Sequence, residues 1–133
     1  MLVREVMVTD VTVISTDTTI DTAAQIMADL DVGALPVGEA ESVPEGILTG
    51  RDILLRVVAP RRDPRTTRAG EVMSRDLICC RAEDEVEAVR REMERHQIRR
   101  MPVVDAEGRM IGMFAESDLE RASAASPTGA GPR

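Results

Sequence analysis

Sliding the sequence along itself by 66 positions lays GMFAESD, residues 112–118, over GILTGRD, residues 46–52, without a gap. The same offset pairs Glu5-Val6-Met7 with Glu71-Val72-Met73, Asp10 with Asp76, Met27 with Met93 and Pro36-Val37 with Pro102-Val103. A duplicated half at constant spacing restricts the fold more than any local propensity. The period exceeds that of most solenoids and there are two copies, so a pseudo-symmetric pair fits better than an open array. One copy of about 60 residues buries little apolar surface. Two copies packed sheet to sheet would solve that, with a pseudo-twofold axis and two equivalent clefts between them.

The repeated stretch carries chemistry. In residues 46–52 an apolar strand end, Gly46-Ile47-Leu48, runs into Thr49, a Gly-Arg turn and Asp52. A strand that stops where a helix starts leaves backbone N–H groups for an anion. Gly46 lets another group approach the backbone closely. Thr49 offers a hydroxyl, and Asp52 a two-oxygen acceptor suited to a sugar diol. The plain alternative, favoured for a single copy, is that Asp52 merely caps the helix. Recurrence in both halves shifts the balance toward a ligand.

Composition excludes several classes. The 133 residues suffice for one core, and the single aromatic, Phe114, leaves that core aliphatic and rich in Met. It also removes base-stacking platforms. A net charge of −7 argues against nucleic acid and anionic membrane, although the arginines of residues 61–68 could form a local patch. All 17 Lys and Arg residues are Arg, which rules out a Walker-type lysine and Schiff-base chemistry. No apolar run approaches a membrane span, and residues 1–10 lack a signal-peptide region, so a cytoplasmic location is expected. Cys79 and Cys80 are strand neighbours pointing to opposite faces, so they read as reduced thiols rather than a disulfide or metal site. His96, the one histidine, falls at a helix end, where the dipole favours a cation.

Along the chain, Val11 to Ile14 reads as a strand. Thr18 and Asp21 read as a capping box for a helix over 19–31, with Gly33 as its C-cap. Leu35-Pro36-Val37 starts a strand in which Pro36 demands an edge or first position. Ile47 to Thr49 is the next strand, and 51–58 the next helix. Residues 59–68 form an exposed connector with two prolines and four arginines. The second half repeats the order: strand 77–80, a helix capped by Asp84, strand 101–104, a turn at 106–109, strand 110–114 and helix 116–123. The expected domains are unit 1 over 1–60, linker 61–68, unit 2 over 69–122 and a disordered tail over 123–133. The fold class is α+β, two β-α-β-β-α units packed sheet to sheet.

The lead-in EVM, the helix ending before GALPV or RRMPVVD, and the G-x-x-T-x-x-D element resemble the CBS domain. Two in tandem look like a CBS-domain pair, or Bateman module, covering residues 1 to about 122. With no catalytic domain attached, it looks like a stand-alone pair. The resemblance implies clefts for adenosine-containing ligands, with the motif Asp on the ribose hydroxyls and Thr near ribose and phosphate. The opening strand and the strand holding Pro-Val flank the adenine, and two modules commonly join as a disk-like homodimer.

Carried over, the first motif is complete at Gly46, Thr49 and Asp52, with Arg51 in the same turn. On the family pattern Asp52 shares its cleft with Ile78, Cys79, Arg99, Arg100 and Pro102. The second motif keeps Gly112 and Asp118 but has Ala115 at the Thr position. Its cleft would include Thr12, Val13, Gly33, Ala34 and Pro36 and gains no cation. Arg binds phosphate bidentately, so the Asp52 site is the expected phosphate site and the Asp118 site the weaker one. The expectation is a non-enzymatic regulatory module sensing AMP, ADP or ATP, or else NAD or S-adenosylmethionine, and signalling to a protein whose identity stays open. No required cofactor and no metal are expected. The alternative is an interaction protein with degenerate clefts.

Overall fold

Helix formation follows the apolar spacing. In the computed structural model, which describes residues 1–39 and 42–124, the first long helix, α1 (Ile20–Leu30), buries Ile20, Ala23 and Met27. The expected capping box at Thr18 and Asp21 does not form. Thr19 is the N-cap, and its hydroxyl donates to Asp21 at 2.6 Å instead of receiving a helix N–H. The C-cap differs too. Asp31, not Gly33, takes the left-handed conformation (φ 55°), and its N–H reaches the carbonyls of Ala28 and Met27. Asp is among the residues that tolerate this region.

Strand β1 (Ala34–Val37) pairs antiparallel with β2 (Gly46–Thr49), Ala34 opposite Thr49. The strand expected over 11–14 is reduced to one parallel bridge, Ile14 to Val37. Helix α2 (Gly50–Ile53) follows β2 directly and widens into a π-helical segment, Leu54–Val58, closed by an Ala59 N–H on the Leu54 carbonyl. Short helix α3 (Ala69–Val72) completes this unit, residues 12–77. Its core of Ile20, Leu35, Val37, Leu48, Val57 and Val72 is aliphatic, as the composition implied. Each such side chain, fully buried, contributes about 1.5–3 kcal/mol.

The second unit joins residues 1–11 to the chain from Ile78. Its sheet has the order β3-β4-β5, with β3 (Cys80–Arg81) parallel to β4 (Arg100–Val104) and β5 (Met110–Ala115) antiparallel. The strand expected over 77–80 is thus shorter and shifted. Helix α4 (Val86–His96) buries Val86, Val89 and Met93; Glu85, not Asp84, is its N-cap. Asp84 instead accepts the Arg81 N–H at 2.8 Å. Gln97, 66 positions after Asp31, is again left-handed (φ 56°). The β4–β5 turn closes on Asp105, which accepts the N–H groups of Glu107 and Arg109, both at 2.9 Å. Desolvation pushes its carboxyl up, but those N–H groups and the Arg109 guanidinium outweigh this and hold it below the usual range. Phe114 is fully buried, and helix α5 (Glu116–Ala124) follows β5 without a break.

Both prolines obey the edge rule locally. Pro102 lies in the middle strand, yet β3 meets β4 only from Val103 onward. Pro36 likewise precedes Val37, where Ile14 begins to pair. Neither ring interrupts a ladder bond on that side.

The compact units do not follow the repeat boundaries. The lead-in of the first repeat packs in the unit of the second, and the lead-in of the second packs in the unit of the first. Leu2 bridges Glu85 and Val8 bridges Met113; Arg68 bridges Thr19 and Ser74 bridges Ile47. Each of these pairs maps onto the other by the same offset. Val3 is fully buried, with Val6 and Met7 packed beside it. The division at 60 and 69 therefore describes the repeat, whereas the packing divides after Val11 and after Leu77. Residues 61–66 are exposed, while Thr67 is buried. Of the expected tail, 123 and 124 end α5, and residues 125–133 lie outside the described residues.

Candidate functional site

The two motif aspartates occupy equivalent strand-to-helix junctions, and each is only 7% exposed. Burying a carboxylate costs free energy unless it is hydrogen-bonded. Asp52 meets that demand first through its own turn. Its Oδ2 accepts the Thr49 N–H at 2.9 Å, and the Thr49 hydroxyl accepts the Asp52 N–H at 3.0 Å. This is the reciprocal cap that the sequence set against the ligand-binding reading. Its other oxygen, Oδ1, accepts the Ser74 hydroxyl at 3.1 Å and lies 4.0 Å from Arg56 Nη1. The same Arg56 nitrogen donates to the carbonyls of Val72, at 2.9 Å, and Met73, at 3.3 Å. Asp118 accepts the Ala115 N–H at 2.8 Å through Oδ2, without a hydroxyl at residue 115.

The backbone N–H groups expected for an anion are partly taken by the chain itself. The Gly50 N–H donates to the Gly33 carbonyl at 3.0 Å, and the Glu116 N–H donates to the Arg99 carbonyl at 3.0 Å. The antiparallel pairing brings each helix start against the strand entry of its own unit, so these donors are satisfied locally. The close approach expected at Gly46 is real, but the group that approaches is the chain's own lead-in. A Cβ on Gly46 would stand 2.7 Å from the Met73 sulfur and 2.7 Å from the Ser74 carbonyl oxygen. One on Gly112 would stand 2.8 Å from the Val8 carbonyl oxygen. Both glycines are needed for docking the exchanged segment.

The remaining expected site residues divide by unit. Thr12 (exposed), Val13 (half-buried), Ala34 and Pro36 (both buried), and Arg51 (exposed) belong with Gly46, Thr49 and Asp52. Ile78 (half-buried), Cys79 (exposed), Arg99 (exposed), Arg100 (half-buried) and Pro102 (buried) belong with Gly112 and Asp118. Within their own unit, Arg100 pairs with Ala115, and Ala34 pairs with Thr49. Arg99 also lines a groove of about 470 Å³ with Arg90, Glu94 and Glu116. Ser74 and Arg56 escaped the sequence reading. Their signal was the mismatch at constant offset, with Val8 and Ala122 in the corresponding places.

Cys80 is buried and its thiol is pushed up to about 12, chiefly by burial and then by the Asp84 and Cys79 charges. Burial also raises Cys79. Cys80 is therefore held as the thiol near neutral pH. His96 ends α4, 3.4 Å from Glu92. Among the described residues no cluster of three or more His, Cys, Asp or Glu side chains could hold a metal ion. Nor is any helix among them long and apolar enough to cross a membrane.

The family model described as "CBS domain" matches residues 3–59 and again 69–125. The chain is 41% identical over 117 residues to the CBS domain-containing protein YhcV of Bacillus subtilis, covering 88% of this chain and 81% of that protein. It is 36% identical over 118 residues to Hypoxic response protein 1 of Mycobacterium tuberculosis, covering 89% and 82%. The crystal structure of the latter, with two coordinated zinc ions, superposes with a TM-score of 0.80 at 34% identity over 91% of this chain and 98% of that one. The CBS-domain pair of protein MJ0100, in complex with 5′-methylthioadenosine and S-adenosyl-L-methionine, shares the fold. Its TM-score is 0.82 at 24% identity, over 92% of this chain and 99% of that one.

Proposed function

This chain belongs to the CBS-domain family, and from that premise we propose that it is a regulatory module, not an enzyme, that binds an adenosine-containing nucleotide of the AMP, ADP or ATP class through Thr49 and Asp52. The observation that carries this reading is the buried carboxylate kept at the same junction in both repeats. At Asp52 the second oxygen also accepts the Ser74 hydroxyl, from outside its own helical turn, which a simple cap does not require. A carboxylate so held accepts the two hydroxyls of a ribose. The MJ0100 pair shows that the fold accommodates adenosine ligands in that protein.

Arg51, Arg99 and Arg100 are proposed for the phosphate, since guanidinium groups pair phosphate oxygens bidentately. The Asp118 element, with Ala115 in place of the hydroxyl donor, is the weaker one. Signalling follows if nucleotide binds two arrangements of the protein unequally and so shifts their populations. The listener is a partner protein, and the module acts as a homodimer in the cytoplasm. Leu54, Leu55 and Val58, each at least half exposed, supply an apolar face for self-association.

Calorimetric titration with AMP, ADP, ATP, NAD and S-adenosylmethionine tests the reading. Binding by the wild type, weakened at least about tenfold in Asp52→Asn, supports it; that loss corresponds to about 1.4 kcal/mol, near the lower end of what a hydrogen bond to a charged group contributes, about 1.5–3 kcal/mol. Silence toward all five at millimolar concentration refutes it. A second reading rests on the reciprocal cap at Asp52, which already gives the carboxylate a structural task. On that reading the protein is an interaction module, and Asp52→Asn lowers the melting temperature with no nucleotide bound by either form.

A further inference from the structure

We infer that Ser74 is a positioning residue of the Asp52 site, with Arg56 as its support, and that the pair fixes the carboxylate for a ribose diol. The inference rests on the nucleotide reading above. Ser74 is held rigidly. Its N–H donates to the Ile47 carbonyl and its carbonyl accepts the Ile47 N–H, both at 2.9 Å. The bare Gly46 lets this segment sit closer than any side chain would allow. The Ser74 hydroxyl is therefore delivered to Asp52 Oδ1 from a fixed backbone. Arg56 closes the arrangement, tied to the Val72 and Met73 carbonyls and lying beside the same oxygen.

With Oδ2 on the Thr49 N–H and Oδ1 on the Ser74 hydroxyl, rotation of the carboxylate is blocked. A carboxylate has about four acceptor positions, so two remain for incoming hydroxyls. A group fixed before binding does not lose rotamer freedom on binding, and that saving appears as affinity. The Ser74 and Arg56 side chains are not repeated by the duplication. At the same offset the other copy has Val8 for Ser74 and Ala122 for Arg56. The compact unit with the hydroxyl donor Thr49 is also the one that holds Ser74 and Arg56, so three polar differences fall on one side.

The test compares AMP with 2′-deoxy-AMP by calorimetry on the wild type, Ser74→Ala, Ser74→Val and Ser74→Thr, with thermal melts to check folding. Valine is the residue the other repeat already accommodates there, which guards against an unfolded alanine variant. The wild type should prefer AMP about tenfold, the size of one hydrogen bond to a charged group. Alanine and valine should lower AMP affinity about five- to tenfold and that of 2′-deoxy-AMP, which keeps only the 3′ hydroxyl, by less, so that the preference shrinks. Threonine, which keeps the hydroxyl, should restore it. Equal weakening of both nucleotides, or an undiminished preference in alanine and valine, overturns the role of Ser74 while nucleotide binding stands. A wild type that binds both nucleotides alike does the same, because no diol is then read at Asp52. A wild type silent to both removes the proposed function and this inference together.

Discussion

Gly46 and Gly112 show how one residue type can be read correctly for the wrong partner. A missing Cβ was legible in the sequence as room for a close approach. That the approaching group is Met73-Ser74, or Met7-Val8, was not, because those residues are distant in sequence from the glycines they touch. Gly46→Ala places a methyl group against a backbone carbonyl that its own ladder bonds hold still. It should destabilise the protein by about 1–3 kcal/mol, and Gly112→Ala should do the same. Denaturant titration of both variants checks this, and unchanged midpoints would show that the lead-in segments move aside freely.

Cys80 carries a prediction about pH. Its thiol stands near 12 in the folded state against an ordinary 9.0. Between those values the unfolded chain has lost a proton that the folded chain keeps. The folded state therefore binds more protons, and stability falls as pH rises from about 9 toward 12. A Cys80→Ala variant should show a shallower alkaline loss of melting temperature than the wild type. Equal slopes would place the alkaline sensitivity elsewhere. At pH 8 the exposed Cys79 should take iodoacetamide well before Cys80, as mass spectrometry of the native protein would record.

At the scale of elements, the long helices were legible because their apolar residues recur at helical spacing and end up buried. Their boundaries were less so. Thr18 and Asp84 looked like caps, yet Thr19 and Glu85 hold those positions. Adjacent polar residues compete for a cap within one turn, and tertiary bridges to Arg68 and Leu2 decide the winner. The left-handed C-caps were missed because neither Asp31 nor Gln97 is glycine. Gln97 accepts a conformation that most side chains avoid. Gln97→Gly should therefore stabilise α4 and the protein by about 0.5–1 kcal/mol, read as a higher melting temperature. A fall instead would mean that added freedom of the unfolded chain outweighs the relieved strain.

At the scale of the molecule, the exchange of lead-in segments is the organising event. Residues 1–8 give their unit a buried Val3, the Leu2–Glu85 bridge, and paired hydrogen bonds between Val8 and Met113, each at 2.8 Å. Deleting residues 1–8 should lower the melting temperature and speed hydrogen exchange at Met113 and along β5, because an unpaired edge and an emptied core position remain. Unaltered exchange at Met113 would show the lead-in to be dispensable.

The sequence by itself determined the duplication, the α+β class, the aliphatic core, the long helices and the strand-to-helix junctions that bear Asp52 and Asp118. These depend on residues close along the chain, where spacing alone carries the signal. Only the tertiary structure decided which lead-in joins which unit, which caps win, and that Ser74 and Arg56 stand beside one of the two aspartates. The lead-in, Ser74 and Arg56 contacts reach residues from 16 to 105 positions away, and no local pattern records which of several equally apolar or polar segments will meet.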